Sequence, residues 1–306
     1  MSTMMKKVVA VDAGKRNLKG RSDIGELLFN TKYSFGHTDD DMLGGNTFNI
    51  IFEGEEFTIG NNATFSDKNE GKDTKVHIMC TLSAVALLSG GAEEIILMYG
   101  ESFNKYTNAE HKRKLKSKLE GRHTIVVDGK SYTFTITLCH ILPEGMGHIL
   151  CNLKAYQGVQ YTLDWGGTTV IFIKTINGRP DTEVSKSFHL GMHHINATIA
   201  DRLDKAGIGK YDGDLIDQWI KEGCKDMRIQ KIIDIVIKEQ LLKIDDRLAG
   251  FGINLHDYLD VTFIGGTSEQ FQSQIKEHYA CARLYSDPLR ANVNGFYEYG
   301  RIKFGK

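Results

Sequence analysis

Asp164 ends an apolar run and stands just before a pair of glycines in the stretch Tyr161–Ile173, YTLDWGGTTVIFI. Gly166 and Gly167 permit a tight turn, and after Thr168 and Thr169 the chain resumes with β-branched and aromatic residues. This pattern predicts a hairpin with one carboxylate at its mouth. The backbone N–H groups of Gly166 to Thr169 and the two threonine hydroxyls suit a phosphate, whereas Asp164 repels one unless a divalent cation or its water lies between. The chemistry implied is the binding of a nucleotide with its metal. A Rossmann fingerprint or a P-loop would lead its glycines into a helix, and a P-loop would add Gly-Lys-Ser/Thr; Val170 to Ile173 read as strand, which excludes both. Taken alone, Asp-Trp-Gly-Gly is an ordinary hairpin turn.

The plan recurs. Near the N-terminus, VVAVDAGKRNLKG gives a strand Val8–Val11, Asp12 at its end, Gly14 in the turn with Lys15 and Arg16, and Asn17 and Lys19 beyond. Near the C-terminus, VTFIGGTSEQF gives a strand Val261–Ile264, then Gly265 and Gly266, then a helix capped by Thr267 or Ser268 with Phe271 and Ile275 on one face. Two acid-tipped turns and one Gly-Gly helix start, in that order, are a far stronger signal than any one of them.

In that order the three stretches resemble the phosphate 1, phosphate 2 and adenosine motifs of the actin, Hsp70 and sugar-kinase superfamily. Within it the chain is most similar to the ParM-type bacterial actins that segregate plasmids. The resemblance extends to LPEGMG at Leu142–Gly147, FHLGMHHINATIA at Phe188–Ala200 and LRANVNGFYEYG at Leu289–Gly300. It implies an α/β, two-lobed actin-like ATPase fold, each lobe a mixed sheet flanked by helices, with nucleotide in the cleft between. Lobe I is expected to comprise residues 1–157 with 288–306, and lobe II residues 158–287.

The same resemblance implies roles for single residues. Asp12 and Asp164 are expected to hold magnesium through its waters. Gly14, Lys15, Asn17, Lys19, Gly166, Gly167, Thr168, Thr169, Glu239, Gly265, Gly266 and Thr267 are expected around ATP or ADP. Glu144 corresponds to the glutamate that orients the attacking water, and Lys238-Glu239 to the pair that contacts ribose. The chain departs from the family at Lys15 and Arg16, where small hydroxyl residues are usual, and at Val170-Ile171, where ParM carries an acid. The two cations either add charge at the phosphates or point away, which leaves ATP and GTP both open as substrates.

The rest of the chain must position these groups. Its 306 residues suit two lobes, and 41% hydrophobic with 25% charged residues is ordinary globular composition. Helices are expected over Lys75–Leu88, Asn108–Leu119, Met146–Lys154, Ser187–Leu203 and Arg228–Leu248, with hairpins at Glu53-Gly54 and Asp128-Gly129. The final segment is expected to return to the first lobe as a helix, and the polar loop Asn62–Thr74 to be mobile. Alternating strands and helices imply mixed sheets covered by helices.

Five scattered cysteines with no CxxC pair are expected as free thiols, and the adjoining His193 and His194 point in different directions on a helix. The basic run His111–Arg122 reads as a solvated helix face, with a subunit contact to an acidic partner surface as the alternative. With no apolar leader and no run long enough to cross a bilayer, the expectation is a cytoplasmic protein; the Met-rich start MSTMMKK is a poor membrane-binding helix. A net charge of −1 gives no general attraction to nucleic acid, so DNA would be reached through another protein.

These features lead to an actin-like ATPase that forms nucleotide-dependent filaments and segregates plasmid DNA through a centromere-binding adaptor. The alternatives are a small-molecule kinase of the same superfamily and a non-hydrolysing nucleotide-binding scaffold. An Hsp70-like chaperone is disfavoured by the expected lack of a peptide-binding domain.

Overall fold

The computed structural model describes residues 6–39, 44–66 and 71–305, so the Met-rich start and part of the polar loop 62–74 lie outside the described residues. The chain divides into one unit of residues 1–156 with 290–306 and a second of residues 157–289.

The first unit begins with the hairpin β1 (Lys7–Ala13) and β2 (Asn17–Ser22), followed by β3 (Gly25–Asn30), β4 (Lys32–Phe35), β5 (Thr47–Phe52), β6 (Glu55–Gly60) and β7 (Phe65–Ser66). Then come α1 (Lys75–Leu88), β8 (Glu94–Glu101), α2 (Phe103–Tyr106), α3 (Ala109–Leu119), β9 (Gly121–Val127), β10 (Lys130–Pro143) and α4 (Gly147–Leu150). The strands form one mixed sheet in the order β3-β2-β1-β8-β10-β9-β5-β6-β4-β7. β8 is parallel to both β1 and β10, which sets the C-terminal ends of these three interior strands side by side. Helix α1 is buried almost all round, as its unbroken run from His77 to Ala86 requires, and packs against β1, β2 and β9.

The second unit repeats that arrangement on a smaller scale. β11 (Val159–Trp165) and β12 (Val170–Ile176) form the central hairpin, followed by β13 (Arg179–Pro180), β14 (Lys186–Phe188), α5 (Met192–Lys205), α6 (Gly213–Glu222) and α7 (Met227–Ala249). A 3-10 turn at Leu255–Asp257 leads to β15 (Val261–Ile264), α8 (Gly266–Gln270), α9 (Gln272–His278) and β16 (Ala282–Leu284). β15 runs parallel to β11, as β8 does to β1. Ile229, Ile233, Val236, Ile237, Leu241, Ile244 and Leu248 of α7 are buried in the core together with Ile195, Ile199 and Leu203 of α5. The chain then returns to the first unit as α10 (Ala291–Phe304).

Several elements differ from their sequence expectation. The helix expected from Ser187 starts at Met192, because residues 186–188 pair with β12 as β14. The helix expected over 146–154 lasts one turn; Asn152 then turns the chain, its backbone and side-chain oxygens accepting from the Ala155 N–H. Helix α6 was not expected, although Asp212 caps it by accepting from the Leu215 N–H at 2.8 Å. The cap of α8 is Gly265 rather than Thr267 or Ser268. Cys80, Cys139 and Cys281 are buried free thiols, and Cys151 and Cys224 are half-buried ones. Among the described residues no helix is long and apolar enough to cross a membrane.

Candidate functional site

In the first unit the β1–β2 hairpin sets Asp12 opposite Lys19. The Asp12 side chain is buried, and Lys19 Nζ lies 3.1 Å from Oδ2. A second ammonium, Lys72, lies 3.4 Å from Oδ1. Burial opposes the Asp12 charge, but Lys19 and Lys72 outweigh it and hold the carboxyl at about 2, below its ordinary 3.8. Asp12 is therefore an obligate anion.

Lys72 is the pivot of this unit. It is 5% exposed, donates to the Gly100 carbonyl at 2.9 Å and forms an ion pair with Glu144. Burial works against its charge, and Glu144 and Asp12 overcome that and raise its pKa. A buried ammonium requires such compensation.

The surrounding loops fix its place. Lys15 Nζ donates to the Gly71 carbonyl at 3.0 Å. From α3, Lys114 reaches the Asp73 carboxylate at 2.8 Å and Lys118 donates to the Asp73 carbonyl. Thr74 then caps α1 by accepting from the His77 N–H. The basic helix is thus more than a solvated face: two of its lysines clamp the loop that carries Lys72.

Glu144 is aimed by backbone contacts. Its N–H donates to the Glu101 carbonyl at 2.9 Å, at the end of the β8–β10 pairing. The next turn is held by Asn292 of α10, whose Oδ1 accepts from the N–H groups of Gly145 and Gly147 at 3.0 and 3.3 Å. Helix α10 comes this close because Gly295 has no side chain; a Cβ there would lie 1.8 Å from the Gly147 oxygen. Glu101 is itself buried. Burial opposes its charge, but His111 at 2.9 Å and Lys72 lower its pKa.

In the second unit three separated segments meet at one turn. The Gly166 N–H donates to the Thr169 carbonyl at 2.9 Å and closes the β11–β12 hairpin. The first amides of α5 cover the other side: Gly191 N–H donates to Thr168, Met192 N–H to Gly166 and His193 N–H to Gly167. Gly191 is required there, since a Cβ would lie 2.5 Å from the Thr168 carbonyl carbon. Thr267 adds a hydrogen bond from its hydroxyl to the Gly166 carbonyl at 2.8 Å.

Asp164 at the end of β11 is 6% exposed and pairs in register with Ile264 of β15. Gly265, at φ +93°, follows directly. A Cβ there would come within 2.5 Å of an Asp164 carboxylate oxygen, so glycine is needed for conformation and for space. On α7, Glu239 forms an ion pair with Arg202 of α5.

The sequence-predicted residues thus fall into two groups. Asp12, Gly14, Lys15, Asn17, Lys19 and Glu144 belong to the first unit, where Lys72 joins Asp12 to Glu144. Asp164, Gly166, Gly167, Thr168, Thr169, Gly265, Gly266 and Thr267 share one loop cluster of the second, and Glu239 lies on its longest helix. Lys72 and Arg202 were not anticipated. The signals available for Lys72 were Gly71 before it and a capping threonine two residues after it, but its burial depends on contacts with distant segments. The Gly166 amide and Thr267 hydroxyl bond within the protein, so their part in a phosphate site is to shape the turn.

Hard oxygen donors suit magnesium, and Asp12 and Asp164 are both buried carboxylates of that class. Because Lys19 and Lys72 already occupy the two Asp12 oxygens, contact through metal-bound water fits better than direct ligation.

Residues 10–147 match the family model for the N-terminal domain of actin-like proteins. A search of curated proteins finds no match. Among solved structures, an archaeal actin homolog superimposes with a TM-score of 0.82 at 16% identity, covering 97% of this chain and 100% of that one. The same homolog in complex with ADP gives a TM-score of 0.79 at 16% identity over 97% and 100% of the two chains. ParM of a 15-stranded filament from Clostridium botulinum gives a TM-score of 0.79 at 17% identity over 98% and 100%. Over residues 10–147 the chain is similar to the N-terminal domain of the actin-like proteins, and as a whole it has the fold of the ParM-type actins and their archaeal homologues.

Proposed function

We propose that this chain is an actin-like ATPase that assembles into filaments with its nucleotide and moves plasmid DNA through an adaptor bound to a centromere-like site. The observation that carries the reading is Lys72, a buried ammonium shared by the Asp12 and Glu144 carboxylates. Held between two carboxylates, such a group suits transient handover to a more highly charged anion. The ADP complex of a structural neighbour supports a nucleotide as that anion, and the filaments formed by others support self-association.

The γ-phosphate of ATP competes with Glu144 for Lys72. Lys19 and Lys72 stabilise the charge spread over the phosphoryl oxygens, and Glu144, released from its ion pair, orients the attacking water and accepts its proton. Asp12 and Asp164 are the buried carboxylates that would hold magnesium through its waters, and the ion would supply charge neutralisation at the phosphates. Gly14, the turn Gly166–Thr169, Gly265 and Gly266 would contact the nucleotide, and Glu239 its ribose. GTP is accepted if these contacts discriminate little at the base. If the assembled form binds ATP better than ADP, hydrolysis biases disassembly by that difference in affinity.

The reading is tested by light scattering and sedimentation of the purified protein with magnesium and ATP, GTP, ADP or no nucleotide, with phosphate release followed in parallel. Rapid scattering and pelleting with the triphosphate, then phosphate release, is the expected result. Absence of assembly with every nucleotide over a wide protein concentration range overturns the filament reading, and phosphate release that requires an added small molecule shows a kinase.

A further inference from the structure

Outside the nucleotide-associated loops, Asp245, His256 and His278 of the second unit bring one ligand atom each within 4.8 Å of one another. They come from three elements: α7, the 3-10 turn and the last residue of α9. His278 Nε2 lies 2.6 Å and His256 Nε2 3.7 Å from the same carboxylate oxygen, Asp245 Oδ2. The other oxygen, Oδ1, accepts a hydrogen bond from the buried Tyr279 hydroxyl at 2.8 Å, which turns Oδ2 toward the two imidazoles. The His256 and His278 rings meet edge to face at 5.5 Å.

We propose that Asp245, His256 and His278 form a binding site for a transition-metal dication of the zinc class. Two imidazoles and one carboxylate are a common donor set for such an ion, and tyrosine support of the carboxylate is what an outer hydrogen-bonded partner provides. Metal–ligand bonds of about 2.1 Å in a tetrahedral site place donor atoms roughly 3.4 Å apart. The His256 contact must close slightly and the His278 contact open by less than an ångström as its hydrogen bond gives way. His256 is 47% exposed, which leaves an open side for ion entry and a water as fourth ligand. The ion would tie the last third of α7 to the end of α9 and to the turn that precedes β15. A plain His278–Asp245 hydrogen bond accounts for one of the histidines but gives no part to His256.

The test uses the full-length chain stripped of metal by a chelator, titrated with zinc and, separately, with cobalt(II), beside the variants His256→Ala, His278→Gln and Tyr279→Phe. One zinc per chain is expected, with affinity at least about tenfold lower in His256→Ala and His278→Gln and lower also in Tyr279→Phe. The cobalt form is expected to show the intense visible absorption of a four-coordinate site, lost in His256→Ala. His256 is the most exposed of the three, so its variant should keep the far-ultraviolet circular dichroism of the wild type even if His278→Gln folds poorly. Equal zinc affinity in the wild type and His256→Ala, or no stoichiometric zinc binding by the wild type, overturns the proposal.

Discussion

Asp12 and Lys72 depend on each other in a way that can be measured without nucleotide. The Asp12 carboxyl has a pKa of about 2 in the folded chain against an ordinary 3.8. A lowered acid contributes stability that is present above its unfolded value and is lost as pH falls through its folded value. Nearly two units correspond to roughly 2 kcal/mol. In chemical denaturation at a series of pH values, Asp12→Asn should have lower stability at neutral pH and lose about 2 kcal/mol less than the wild type between about pH 5 and about pH 2. Lys72→Met leaves two buried carboxylates without their shared cation, and a buried pair broken on one side costs about 3–5 kcal/mol. Its ATP affinity should fall more than its ADP affinity, since the γ-phosphate is the group proposed to take over Lys72; a fluorescent-nucleotide competition assay reads both.

At the scale of elements, positions that tolerate only glycine hold the loops in place. Gly191→Ala sets a Cβ against the Thr168 carbonyl carbon, and Gly295→Ala sets one against the Gly147 oxygen. Overpacking of this kind costs about 1–3 kcal/mol or more. Thermal unfolding should show both losses. Gly191→Ala should also weaken nucleotide binding through the Gly166–Thr169 turn, while Gly295→Ala should slow phosphate release by shifting Glu144. The hairpins, the long α7 and the Gly-Gly strand end were legible in the sequence because each is a local pattern: alternation, a 3.6-residue period, or glycine after a strand. Element ends were less so. Strand β14 replaced the first turn expected of α5 because residues 186–188 pair with β12, a tertiary fact with no local signature. For the same reason Lys72 was not foreseen: its partners, the Asp12 and Glu144 carboxylates and the Gly100 carbonyl, come from β1, the turn after β10 and β8, and none lies near it in sequence.

At the scale of the molecule, the order of the motifs Asp12–Lys19, Asp164–Thr169 and Gly265–Thr267 carried the fold, and the match over residues 10–147 together with the structural neighbours agrees with it. The surface that would join one copy to the next has no comparable signal, because apolar residues scattered over a surface are ordinary. The central claim is that Glu144 and Lys72 act on a bound triphosphate. Single-turnover phosphate release from stoichiometric magnesium ATP, with bound nucleotide quantified in the same samples, tests it most directly. The account predicts close to one phosphate released per wild-type chain, and release about a hundredfold slower from Glu144→Gln, which still holds ATP. Release from Glu144→Gln at the wild-type rate, or failure of the wild type to retain nucleotide, would contradict it.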